Sequence, residues 1–267
     1  MADDESASEK GTAIVTGATR GIGYELARLF AATGHDVVLV ARTEGDLAET
    51  ATGFTDRFGV RAETVAADLT DPDAPERVQA ATADLSVTAL VNNAGYAAAG
   101  RLDAADVEET LGMLDLKARA ATELTRRYLP TLVDGPREGR LLNVASASAF
   151  VPGPRNAVYH AVNDYLLSLS RSLTAELADA AVTVTCLCPG RVDTDFHERA
   201  GIDERKRGLV PTLALDPRPV ARAGFRGLRR GETVVVPGVS MRLLTAVARV
   251  TPGPIARRVM RYYNRGL

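Results

Sequence analysis

Of the 32 basic residues in the chain only three are lysines, Lys10, Lys117 and Lys206; the other 29 are arginines. In so lysine-poor a chain each lysine's position is a chemical question. Lys10 ends the polar stretch MADDESASEK and Lys206 sits in a charged loop. Lys117 lies in Met113-Leu114-Asp115-Leu116-Lys117-Ala118-Arg119-Ala120, three residues after Leu114 and four before Ala121, which places it on the apolar stripe of a helix. A lysine desolvated there has a lowered pKa and can act as acid, base or imine-forming amine. A second string with chemical meaning is Thr16-Gly17-Ala18-Thr19-Arg20-Gly21-Ile22-Gly23. Its glycines let the backbone turn tightly and approach a pyrophosphate, and the helix that follows offers free N–H groups at its positive end. Cys186 and Cys188 lie on an apolar run without a nearby histidine, which suits neither a disulfide scaffold nor a metal site. His160 stands four residues before Asp164, close enough to bond along a helix, whereas His35 and His197 have no catalytic company.

These residues need a frame. From Gly11 onward, near-continuous apolar runs at 12–16, 36–40, 61–66, 87–92, 140–144, 182–188 and 233–236 alternate with helical patterns such as 23–32 and 159–177. Strands apolar throughout are covered on both faces, and strand–helix alternation predicts a doubly wound parallel α/β sheet of about seven strands in a single domain, 11–267. Residues 1–10 read as a disordered acidic tail. Residues 197–231, rich in Arg, Pro and Gly, read as a substrate lid, and 240–263 as one or two helices interrupted by Pro252 and Pro254. A chain 46% hydrophobic and 25% charged supports one large core, while a net charge of −2 gives no electrostatic case for nucleic acid. No run is long and apolar enough to span a membrane, and the polar start is unlike a signal peptide, so the expected location is cytoplasmic.

The glycine turn sits after the first strand and opens a helix, the context its chemistry requires. Asp68-Leu69 follows the third strand, Asn92-Asn93-Ala94-Gly95 closes the fourth, Ser146 follows the fifth, and Pro189-Gly190-Arg191-Val192-Asp193-Thr194 follows the sixth. In order and spacing these five motifs resemble the short-chain dehydrogenase/reductase family over about residues 11–200. The resemblance implies a nicotinamide dinucleotide held by Gly17, Thr19, Arg20, Gly21, Ile22, Gly23, Asp68, Leu69, Asn93, Ala94, Gly95, Pro189, Gly190, Val192 and Thr194. It implies Tyr159, 13 residues after Ser146, as the proton donor, with Ser146 polarising a carbonyl, and a homodimer or homotetramer packed through the helices carrying Lys117 and Tyr159. Two positions depart from the family. Its catalytic lysine, four residues after the tyrosine, is here Asn163, and its asparagine on the preceding helix is here Lys117, so the two have exchanged places.

After the second strand, Val40-Ala41-Arg42 offers no carboxylate for a ribose 2′-hydroxyl, while Arg42 and Arg20 flank the expected ribose with positive charge. This favours NADP(H) over NAD(H). The leading expectation is an NADP-dependent oxidoreductase acting on a small carbonyl or alcohol, with Tyr159 as donor, Lys117 restoring the site's charge, and Tyr159 and Asn163 contacting the ribose. Tyr96, Phe150 and Val151 are expected at the substrate mouth. Two alternatives remain: imine chemistry at Lys117, and a non-catalytic NADP-binding protein.

Overall fold

A computed structural model describes residues 10–193 and 214–265. Seven strands form one sheet in the order β3-β2-β1-β4-β5-β6-β7: β1 (Thr12–Thr16), β2 (Asp36–Ala41), β3 (Ala62–Ala66), β4 (Val87–Asn92), β5 (Gly139–Val144), β6 (Val182–Leu187) and β7 (Val234–Val235). Every neighbouring pair is parallel. The central strands are mainly apolar because alternate residues enter two different cores, whereas edge strand β3 carries Glu63 and is partly exposed. Ala13, Val15, Leu39, Val91 and Leu142 face α1 (Gly21–Ala32), α2 (Glu44–Phe58) and α7 (Pro217–Arg229). Ile14, Val38, Leu90 and Leu141 face α3 (Ala74–Ala81), α5 (Ala121–Asp134) and part of α6 (Ala157–Glu176). The chain leaves β1 toward β2 on one side and returns through β4 on the other. That reversal opens a crevice beyond the carboxyl ends of β1 and β4, where ligands of such sheets bind.

Local signals set the helix ends. Asp106 caps α4 (Val107–Leu114) by accepting from the Glu109 N–H at 2.8 Å. Gly59 ends α2 in the left-handed conformation at φ 67°. Helix α4 runs without a break through one widened turn, Asp115–Ala120, into α5. That π-type turn carries one residue more than an α-helical turn, and such insertions rotate the residues that follow. Leu114, Lys117 and Ala121 therefore do not share one stripe: Lys117 and Ala121 are buried, while Leu114 is 39% exposed.

Part of the stretch read as a lid, Pro217–Arg229, is helix α7, packed on α1 and β6. The buried Glu25 carboxylate of α1 fastens it, accepting from Arg28 at 2.7 Å and Arg218 at 3.1 Å. The remainder of that stretch up to residue 213, with His197, and also Thr194, lies outside the described residues. The C-terminal run forms α8 (Val239–Val250) and α9 (Gly253–Tyr263), separated at Pro252, which has no N–H to continue a helix. No helix among the described residues is long and apolar enough to cross a membrane.

Candidate active site

A cleft of about 1060 Å³ lies over the carboxyl ends of β1, β4, β5 and β6. Gly17, Thr19, Arg20, Gly21, Ile22, Arg42, Asp68, Leu69, Asn93, Ala94, Gly95, Lys117, Ser146, Tyr159, Pro189, Gly190 and Val192 all line it. At its phosphate end, Gly17 and Gly21 adopt φ of 66° and 58°. Asn93 clamps the turn, donating from Nδ2 to the carbonyls of Thr16 at 2.9 Å and Gly17 at 3.1 Å. The Thr16 hydroxyl in turn accepts from the N–H groups of Asn93 and Ala94. Gly23 does not line the cleft; it lets α1 press against the turn, since a Cβ there would stand 2.1 Å from the Gly17 oxygen. No side chain caps the start of α1. A pyrophosphate therefore fits: the turn is held open by glycines, and the first helical N–H groups are not taken by a cap. At the ribose side, Arg20 lies 3.7 Å from Asp46, while Arg42 is exposed and forms no ion pair among the described residues.

The reaction end is built from three elements. Ser146 stands at the end of β5 in extended conformation, its Oγ accepting from the Ser148 N–H at 3.1 Å. Tyr159 lies in the first turn of α6. Lys117 enters from the widened turn, 5% exposed, and its ammonium donates to the Val144 carbonyl at 2.9 Å and Asn163 Oδ1 at 3.2 Å. Burial lowers its pKa from 10.5 to about 8, opposed by the adjacent thiols of Cys186 and Cys188. Asn163 is fully buried and donates from Nδ2 to the Tyr159 carbonyl at 2.7 Å. The exchanged pair is thus one bonded unit: Lys117 to Asn163, and Asn163 to the residue that carries the phenol. Gly95 leaves room for it, because a Cβ there would stand 2.3 Å from Lys117 Cε. Arg119 ties the widened turn to the loop carrying Asp68, donating to the Thr70 carbonyl at 2.9 Å and the Asp115 carboxylate at 3.0 Å.

Two expectations change. Asn163 does not face a ribose: it is absent from the cleft wall, and both ends of its amide are engaged within the protein. Phe150 is not at the mouth, although Tyr96 and Val151 are; it packs beside the core around Cys186, under the Arg249 guanidinium at 4.7 Å. His160 bonds the Val151 carbonyl at 2.8 Å, and Asp164 is exposed without a bond to it. Leu166, Leu169 and Leu173 pack into or against this chain's own cores. Sequence reasoning missed the opposite wall, formed by Met241 of α8 and by Met260, Tyr263 and Asn264 at the end of α9. Buried Asn264 donates to the Pro154 carbonyl at 2.9 Å and seats that wall. Its signal was present: an asparagine closing a run otherwise composed of arginine and apolar residues. Asn156 and Ser148 also line the cleft, and Asn156 Oδ1 and Ser148 Oγ are buried with no hydrogen-bond partner among the described residues.

Residues 11–205 match the short chain dehydrogenase family. An uncharacterized oxidoreductase of Staphylococcus saprophyticus is 31% identical over 232 residues, 86% of this chain and 96% of that protein. The 1-deoxy-11-beta-hydroxypentalenate dehydrogenase of Streptomyces arenae is 37% identical over 199 residues, 72% of this chain and 70% of that protein. Among solved structures, a short-chain dehydrogenase from Sphingobium yanoikuyae in complex with NADPH superposes with a TM-score of 0.78 at 31% identity, covering 88% of this chain and 91% of that one. With a doubly wound sheet, a glycine-turn cleft and these relatives, the chain belongs to the short-chain dehydrogenase family of nicotinamide-dependent oxidoreductases.

Proposed function

We propose that the protein is an NADPH-dependent reductase of a carbonyl substrate whose proton relay runs on Lys117 in place of a lysine at 163. The observation that carries this reading is that Ser146, Tyr159 and Lys117 line one cleft continuous with the glycine turn. Bound nicotinamide supplies the hydride. Ser146 hydrogen-bonds the substrate oxygen, and Tyr159 donates its phenolic proton to that oxygen. A free tyrosine titrates near pH ~10, and a nearby cation favours the phenolate left after donation. Lys117 supplies that cation, and Asn163 positions it. Reduction starts from the protonated phenol, so it tolerates this rearrangement better than alcohol oxidation, which needs the phenolate first. The unpaired Arg42, and the NADPH bound to the Sphingobium relative, support NADP(H) over NAD(H).

The test is loss of nicotinamide absorbance with a panel of ketones and aldehydes. Tyr159→Phe is expected to lower turnover about 10²- to 10⁴-fold while leaving thermal stabilisation by NADPH intact. Stabilisation without turnover on any carbonyl would favour a non-catalytic NADP-binding protein. The lowered pKa of Lys117 favours imine chemistry as a second reading, although the amine is already bonded to Val144 and Asn163. Borohydride trapping followed by mass spectrometry decides between them: a substrate adduct on Lys117 supports the imine, and none supports the relay. The assembly is a homodimer or homotetramer in this reading.

A further inference from the structure

Beyond Glu232 the chain has no acidic residue but six arginines, Arg242, Arg249, Arg257, Arg258, Arg261 and Arg265, in a protein of net charge −2. The same stretch holds eight of the thirteen exposed large hydrophobic side chains among the described residues. On α8, Val239, Leu243, Val247 and Val250 are 53–83% exposed; on α9, Ile255, Val259 and Tyr262 are 49–58% exposed. Steps of three and four residues align each set along one outward face. Arg242 and Arg249 are committed inward, to the Val236 carbonyl at 2.9 Å and the Phe150 ring at 4.7 Å. Arg257, Arg258 and Arg261 are exposed, with no ion-pair partner among the described residues.

Two occupants compete for a surface that is both aliphatic and wholly cationic. A second copy docked across a two-fold axis would set one arginine frame against another, with no carboxylate on these helices to meet it. An anionic bilayer satisfies both features, taking aliphatic side chains into the boundary between headgroups and acyl chains and guanidinium groups onto lipid phosphates. We propose that α8 and α9 form a docking surface for an anionic lipid bilayer. Their inward residues Met241, Met260, Tyr263 and Asn264 line the cleft, so docking sets its wall against the lipid. A lipid-dissolved carbonyl compound is then the substrate class; that last step rests on the reductase reading, whereas the docking does not.

The experiment is flotation of the full chain with extruded vesicles, either 70:30 phosphatidylcholine:phosphatidylserine (roughly one lipid in three anionic) or phosphatidylcholine alone. The protein is expected to float with the anionic vesicles, at least about five-fold less with the neutral ones, and less as salt rises, since each arginine near an anionic surface is worth about a five-fold gain. Leu243→Glu/Val247→Glu and Arg257→Glu/Arg258→Glu should each cut anionic binding at least about ten-fold, by losing apolar burial or reversing charge. NADPH-dependent thermal stabilisation of both variants confirms that they fold. No flotation, equal binding to neutral vesicles, salt-insensitive binding, or binding unchanged in the folded variants would each overturn the proposal. Failure here with intact carbonyl reduction would remove the membrane surface and leave the reductase standing.

Discussion

Lys117 is a buried cation whose only direct polar partners among the described residues are a carbonyl and an amide oxygen, neither charged. In the folded chain its pKa is about 8, against 10.5 when free, so between those values the folded state holds fewer protons than the unfolded chain. Stability therefore rises with pH through that window, by about 3 kcal/mol in all, and below pH 8 the full cost of burying the charge is present. Denaturant titrations at pH 7 and pH 10 should show this rise in the wild type and its absence in Lys117→Met, the other titrating groups cancelling in the difference. Catalysis runs the other way. The relay uses the protonated amine, so reduction should decline as pH rises through about 8, and Lys117→Met should be at least about ten-fold slower with that decline gone. The pair itself is tested by exchange. Lys117→Asn and Asn163→Lys should each impair reduction, and the double variant should recover more than the two single effects predict. Additive effects would show that the 3.2 Å bond does not couple the two residues in turnover.

Much of the element scale was readable from residue order. The seven runs correspond to the seven strands within about a residue at each end, because strands covered on both faces need mostly apolar side chains; β3, at the sheet edge with Glu63, is only partly covered. Helix α1 opens at Gly21, not Gly23, since the glycine turn itself contributes the first helical residues. The widened turn at Asp115–Ala120 left no mark, because a single i→i+5 insertion preserves the apolar count and alters only the phase. Asn163 was misread for a related reason: its side-chain direction follows from α6 packing on the widened turn, a contact between segments far apart in sequence. The contact between α1 and the phosphate turn makes a sharp prediction. In Gly23→Ala the new methyl would lie 2.1 Å from the Gly17 carbonyl and 2.3 Å from Asn93 Nδ2, so backbone must move. A loss of about 1–3 kcal/mol is expected, together with loss of thermal stabilisation by NADPH. Gly53→Ala in the middle of α2, where a Cβ meets nothing within 4 Å, is the control; it should stabilise by about 0.5–1 kcal/mol in the same melt.

Among the described residues, two apolar patches with different charge frames face water, and the frames imply different partners. The first runs along α4: Val107, Leu111 and Leu114, with Leu102 before them, are 39–63% exposed. Asp103, Asp106, Glu108, Glu109 and Asp115 border it on one side of the charge balance, and Arg101 and Arg119 on the other. Mixed charge lets a surface be its own complement across a two-fold axis, as a self-associating interface requires. Tyr165 of α6, 41% exposed and bonded through its hydroxyl to Thr122 at 2.7 Å, extends the same side of the molecule. A homodimer of the kind proposed would pack through this surface, since the leucines of α6 are taken up by the chain's own cores. The all-arginine frame of α8 and α9 cannot serve that role for the same electrostatic reason. Size-exclusion chromatography with light scattering separates the two surfaces. Val107→Glu/Leu114→Glu should halve the measured mass, because carboxylates added to an already acidic border then face one another across the axis. Leu243→Glu/Val247→Glu should leave the mass unchanged. Dissociation by the second pair and not the first would reverse both assignments, making the C-terminal helices the contact between copies and α4 a solvated face.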